Sequence, residues 1–220
     1  MKPTSKNKLQ LLLRHHKILG IFPNDIDISP FKDMSGLLKG TPAFNEPIDG
    51  WDTKNVTNMS CMFSGATDFN QYIGQWDTRN VKDMSGMFKG ASSFNQPFYW
   101  DTGKVWNMSS MFMGASSFNQ SLEHFDTVNV TDMSRMFYRA TEFNQLLDKC
   151  KTGNVINMSC MFSYATAFNQ PLDWDTENVA DMSRMFYGAT EFNQILGWNT
   201  ENVTNMSYVF RGSKIHLARF

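Results

Sequence analysis

Apolar residues return along this chain in one order, at one spacing, with polar residues between them. In residues 168–191, FNQPLDWDTENVADMSRMFYGATE, the apolar positions are Phe168, Leu172, Trp174, Val179, Met182, Met185, Phe186 and Ala189. The Phe-Asn pair that opens the unit recurs at Phe44, Phe69, Phe94, Phe118, Phe143, Phe168 and Phe192, in steps of 24 or 25 residues. The Met-Ser pair recurs at Met34, Met59, Met84, Met108, Met133, Met158, Met182 and Met206. Self-similarity at such a period marks a solenoid, whose units bury their apolar faces against their neighbours. From Val179 the apolar steps of three and four predict a short helical turn in Met-Ser-x-Met-Phe-x-Gly-Ala. Asp, Asn or Ser would cap its start, and Gly would permit a left-handed exit. The segment Gln-x-Leu-x-Trp-Asp-Thr predicts one short strand per coil in a parallel ladder. The expected architecture is an α/β solenoid of about 25 residues per coil, with one short parallel β-strand and one short helical turn in each.

Residues 1–25 break the pattern. Leu9, Leu12, Leu13 and either His16 or Lys17 fall at helical spacing, with Ser5 as N-cap and Gly20 as stop. This predicts an amphipathic cap over the first coil; the rival reading is a basic targeting or partner-binding helix. The repeat occupies residues 26–212 in about eight coils, the first and last degenerate, and residues 213–220 form a tail in which Leu217 falls near the next Phe-Asn position. In residues 26–40, Ile26 stands for the Trp, Phe31 for the Val, and Leu37-Leu38 for Met-Phe. Copies of 24 residues lose one residue between the Leu and Trp columns, so a loop absorbs the difference.

Polar columns carry their own expectation. Asn45, Asn70, Asn95, Asn119, Asn144, Asn169 and Asn193 predict a buried ladder that satisfies backbone groups at a corner of each coil. The Asp-Thr pairs and the second Asn column (Asn55, Asn80, Asn129, Asn154, Asn178, Asn202) read as turn formers.

Composition sharpens this picture. Of 16 Met and 19 Phe, nearly all sit in repeating columns, which makes them core residues. The formal charge of −1 gives no global field for nucleic acid. The apolar run around Leu9–Leu13 is too short for a membrane span or a secretory segment, and the expected setting is intracellular. Cys61 and Cys160 share a column four coils apart, roughly 19 Å at the strand spacing, too far for a disulfide. The third thiol, Cys150, stands in the Trp column.

At this point the unit x-W-D-T-x-N-V-T-x-M-S-x-M-F-x-G-A-x-x-F-N-Q closely resembles the bacterial surface protein 26-residue repeat. That is the DUF285 or mycoplasma-lipoprotein type, usually grouped with BspA-like leucine-rich repeats. The resemblance covers residues 26–212 and implies a leucine-rich-repeat-like solenoid with a surface or interaction role and no shared catalytic residues. It also implies a possible viral or host-cell setting, since such repeats occur there too. No signal peptide or lipidation cysteine accompanies it here.

A search for chemistry yields little. The histidines are scattered, no metal-ligand spacing or phosphate loop occurs, and the chain is expected not to be an enzyme and to need no cofactor. Function in a solenoid lies where columns vary and face solvent. The residue after Met-Ser and the residue after Phe are three apart, and Arg139 and Tyr164 replace the Gly that follows; in the C-terminal half these positions bring together Arg135, Tyr138, Arg139, Tyr164, Arg184, Tyr187, Tyr208 and Arg211. Tyr and Arg are enriched at binding hot spots, although the same rings could simply stack coil on coil. Trp106 and Ile156 replace polar residues of their column and offer a second contact point. The expectation is a protein-interaction or scaffold module with an unidentified protein partner. The alternatives are a structural component self-assembling through its ends or sides, or a carbohydrate- or ice-binding array using the threonine rank Thr53 to Thr200.

Overall fold

The computed structural model describes residues 1–214. Expectations for the tail, including Leu217, lie from residue 215 onward outside the described residues. At the N-terminus the segment from Ser5 to Gly20 is helical but broken in two at His15. Helix α1 spans Lys6–Arg14, with the Ser5 side chain accepting from the Lys8 N–H; α2 spans His16–Leu19 and ends at Gly20, whose φ is +63°. Glycine meets that left-handed angle without a β-carbon penalty. Leu9, Leu12 and Leu13 are buried in the same core as the repeat. Lys6 bonds Asp33 and Ser35, and Gln10 donates to the Gly36 carbonyl of the first coil. The helix therefore both covers the open apolar end and occupies its backbone edge.

The repeat is a solenoid, but among the described residues neither the expected helical turn nor the expected strand forms. In Met59–Phe69 the chain makes successive reverse turns: Met62 N–H bonds Met59 O, Ser64 bonds Cys61, Ala66 bonds Phe63 and Phe69 bonds Ala66. Cys61 and Gly65, third residues of two of these turns, have φ of +54° and +75°, the signature of type II turns. The alternate donors go elsewhere. Met59, Cys61, Phe63 and Gly65 N–H groups bond Asp83, Ser85, Met87 and Lys89 carbonyls of the next coil. A helix would consume every one of these donors internally and leave the coils unjoined. Chained turns give the same three- and four-residue apolar spacing while keeping half the donors for the neighbour.

The parallel pairing lies on the residue before Met-Ser. It runs as isolated bridges Asp33↔Asn58↔Asp83↔Asn107↔Asp132↔Asn157↔Asp181↔Asn205. Gln-x-Leu-x-Trp carries no bridge among the described residues, because its length differs between coils and no fixed backbone register can pass through it. Side chains join the coils there instead. The Trp76 indole donates to Ile48 O, Trp100 to Ile73 O, Trp174 to Leu147 O and Trp198 to Leu172 O. Each Asn of the Phe-Asn column accepts from the next one's N–H, as Asn70 Oδ1 does from Asn95 at 2.9 Å. The ladder is as expected in its bonding but only partly buried, with Asn45 and Asn193 at its two ends exposed.

Inside, phenylalanines form two continuous stacks. Phe63, Phe88, Phe112, Phe137, Phe162 and Phe186 lie 5.4–5.7 Å apart, and each meets the parallel Phe-Asn stack at 3.9–4.1 Å. Such aromatic pairs contribute roughly 0.5–1.5 kcal/mol each beyond burial. The threonine rank also belongs to the interior. Thr53, Thr78, Thr102, Thr127, Thr152 and Thr176 are at most 2% exposed, and each hydroxyl donates to a carbonyl of the next coil. A rank bonded inward presents no face to ice or carbohydrate, which removes that alternative.

Candidate functional site

The turns fix where the variable side chains point. Two positions per coil adopt positive φ: the residue after Met-Ser, and the Gly before the buried Ala. At the first, the coils carry Gly36, Cys61, Gly86, Ser110, Arg135, Cys160, Arg184 and Tyr208, with φ between +54° and +59°. At the second they carry Gly40, Gly65, Gly90, Gly114, Arg139, Tyr164, Gly188 and Gly212. Glycine is the natural occupant of both, since a β-carbon costs about 1–2 kcal/mol in this region. From Arg135 onward the chain places Arg and Tyr there in five instances.

These side chains converge. Arg135, Tyr138, Tyr164, Arg184, Tyr187, Tyr208 and Arg211 line one groove of about 490 Å³, together with Met113, Cys160 and Ser163. Arg139 does not line it but stacks on its wall, 5.4 Å from the Tyr138 ring centre and 5.3 Å from that of Tyr164. Arg184 and Arg211 lie over Tyr208 at 5.7 and 5.5 Å. Tyr164 meets Tyr138 and Tyr187 edge-on, at 80° and 68°. All eight candidates thus belong to one cluster. The coil-on-coil stacking alternative is partly realised, with T-shaped and cation–π contacts replacing the parallel stacking of the core. Met113 and Ser163, which follow Phe as Tyr138 and Tyr187 do, and Cys160, which follows Met-Ser, complete the groove, and their column membership was the only signal for them.

Electrostatically the groove is cationic. The ion pairs of the described residues involve other cations, such as Lys17 with Glu46, Arg79 with Asp77 and Lys214 with Glu191. Among the described residues no carboxylate pairs with Arg135, Arg139, Arg184 or Arg211. The Tyr164 phenol is held above its ordinary range, first by partial desolvation and then by its hydrogen bond with Tyr187. It is a neutral hydroxyl at physiological pH. Unpaired guanidinium groups beside phenol hydroxyls can bind oxyanions; the cluster offers no nucleophile–base pair among the described residues.

The second irregularity stands apart from the groove. Trp106 and Ile156 are about half exposed and flank Thr131, joined by backbone bonds from Thr131 to Trp106 and from Ile156 to Thr131. The thiols of Cys61, Cys150 and Cys160 are free. Burial first, and Asp148 second, push Cys150 up to about 12, which keeps this thiol, packed against the edge of the core, protonated. No helix among the described residues is long and apolar enough to cross a membrane.

Comparison with known proteins adds a lineage without a function. No curated protein matches the chain. A family model described as "Mycoplasma protein of unknown function, DUF285" matches three successive stretches, residues 14–99, 98–173 and 172–216. These stretches run end to end over roughly two to three coils each, as expected of tandem copies of one unit, and the chain belongs to the DUF285 family.

Proposed function

We propose that this chain is a non-enzymatic interaction module that binds a protein partner through the Tyr/Arg groove. The observation that carries the reading is the placement of Arg135, Arg139, Tyr164, Arg184 and Tyr208 at left-handed backbone positions. Other coils give the second of these positions to glycine throughout, as at Gly65 and Gly90, and the first to the small residues Gly36, Cys61, Gly86, Ser110 and Cys160. Strained conformations that persist where an unstrained residue would serve point to a use for the side chain. An intracellular setting belongs to the same proposal and is supported by the three free thiols. The test is affinity purification of the tagged chain beside a twin carrying Tyr138→Ala, Tyr187→Ala and Tyr208→Ala. A partner recovered with the first and lost from the second is expected; an unchanged set of partners removes the groove as the binding face.

A second reading, self-assembly through an end, is favoured by one observation. Met206, Tyr208 and Gly212 N–H groups in the last coil have no acceptor among the described residues, whereas their counterparts Met182, Arg184 and Gly188 bond the following coil. Light scattering that depends on protein concentration would support it.

A further inference from the structure

We propose that the groove takes an acidic, extended segment of the partner, with side-chain carboxylates seated on Arg135 and Arg184; this rests on the interaction-module reading above. Three features select that ligand chemistry. The first is charge. Four arginines gather on one face of a chain whose formal charge is −1, and among the described residues none is neutralised by a carboxylate. The second is preorganisation. A guanidinium lying over a ring loses little freedom on binding and keeps its N–H donors at its edge, where a carboxylate can accept two at once. Arg184 over Tyr208 has that arrangement. The third is spacing. Arg135 and Arg184 occupy one column two coils apart, roughly 10 Å at the strand repeat. In a polyproline-II segment, residues three apart share a face about 9 Å apart.

The same contacts weigh against single-stranded nucleic acid, which needs bare aromatic faces for its bases. Here Tyr138, Tyr164 and Tyr208 already carry guanidinium groups on their faces. The groove's free chemistry is N–H and O–H donors, and its complement is a row of carboxylates.

Fluorescence anisotropy with the whole chain tests this. The probes are a labelled peptide with Glu at every third position and Pro or Ser between, a twin with Gln for Glu, and an oligouridylate of equal length. The Glu peptide is expected to bind about tenfold or more tightly than the Gln twin, since hydrogen bonds between ionised partners are stronger than neutral ones. That advantage should shrink with added salt, vanish in Arg135→Gln/Arg184→Gln, survive partly in Arg135→Lys/Arg184→Lys, and be unaffected by Lys39→Gln/Lys89→Gln. Circular dichroism confirms that the variants remain folded. Equal binding of the Glu and Gln peptides, tighter binding of the oligouridylate, or an advantage surviving the double Gln variant each overturns the proposal. The purification above separates this failure from that of the parent reading. A partner lost on tyrosine truncation but kept by Arg135→Gln/Arg184→Gln preserves the binding face and eliminates the acidic ligand.

Discussion

Arg139 and Tyr164 sit where a β-carbon crowds the backbone, and neighbouring coils show how easily glycine fits there. That inverts the usual order of substitution. At most positions Ala is more favourable than Gly because Gly loses more chain entropy. At Arg139, with φ +58°, both variants lose the ring contacts but only the Gly variant relieves the strain. Arg139→Gly is therefore expected to be more stable than Arg139→Ala by about 1 kcal/mol in urea titration; the ordinary order would refute the strain. Gly188 supplies the converse. A β-carbon there would lie 2.8 Å from the Tyr164 ring, so Gly188→Ala should both destabilise the chain and shift the near-ultraviolet signal of Tyr164. The replacement of Gly by Arg139 and Tyr164 was legible in the sequence. The same strain at Arg135 and Arg184 was not, because glycine fills that column only at Gly36 and Gly86.

The bridge row has a regularity that only pairing brings out. Its members alternate without exception, Asp33, Asn58, Asp83, Asn107, Asp132, Asn157, Asp181 and Asn205. Each side-chain oxygen accepts the N–H two residues on, as Asn107 does from Ser109, a task Asp and Asn perform equally well. Alternation keeps carboxylates two coils apart instead of one. Adjacent carboxylates about 5 Å apart would repel by roughly 1–3 kcal/mol at near-surface dielectrics. Asn107→Asp, which sets three carboxylates in succession, should be destabilising at neutral pH. Repulsion raises the folded-state pKa of the added carboxyl, so the penalty should fade as pH falls through that value; a penalty independent of pH would refute the explanation. Helix-like spacing misled here because chained turns and a helix share it. What separates them is the fate of alternate N–H donors, which side-chain periodicity does not record. The strand was misplaced for a related reason: Trp76 and Trp100 share a column, but the loops leading to them differ by one residue.

Taken whole, the molecule is one-dimensional, each coil resting on its neighbours, so its ends decide its fate. The cap was legible because Ser5, the leucines and Gly20 are local signals; its polar anchors, Asp33 and Glu46, were not, since they are distant in sequence. Glu46 is held below the usual carboxylate range first by its bond with Lys17 and then, against some desolvation, by His16. For Asp33 desolvation is the largest influence and acts upward, but Lys6 and Ser35 together outweigh it and the net shift is downward. Depressed values mean that this stabilisation is present above the unfolded carboxyl range and is lost as pH falls through the folded values. Hydrogen exchange in acid should therefore show Leu9–Leu13 opening before the Phe stacks, and Asp33→Asn/Glu46→Gln should open them already at neutral pH. Simultaneous opening of cap and stacks would contradict that order.

The coil-to-coil bonds have a direction, and direction gives the rod an electrical sense. In each coil four turn donors, such as Met59, Cys61, Phe63 and Gly65, point toward the C-terminal end, while Lys82 and Ser93 point back to Thr57 and Thr67. The peptide dipoles on the turn face therefore do not cancel. Their positive pole falls on the last coil, where Met206, Tyr208 and Gly212 leave N–H groups without acceptors among the described residues. This is the opposite sense to an α-helix, whose positive pole is its N-terminus. An anion approaching the rod would meet a field that strengthens toward the C-terminal coils, the same coils that carry Arg184 and Arg211.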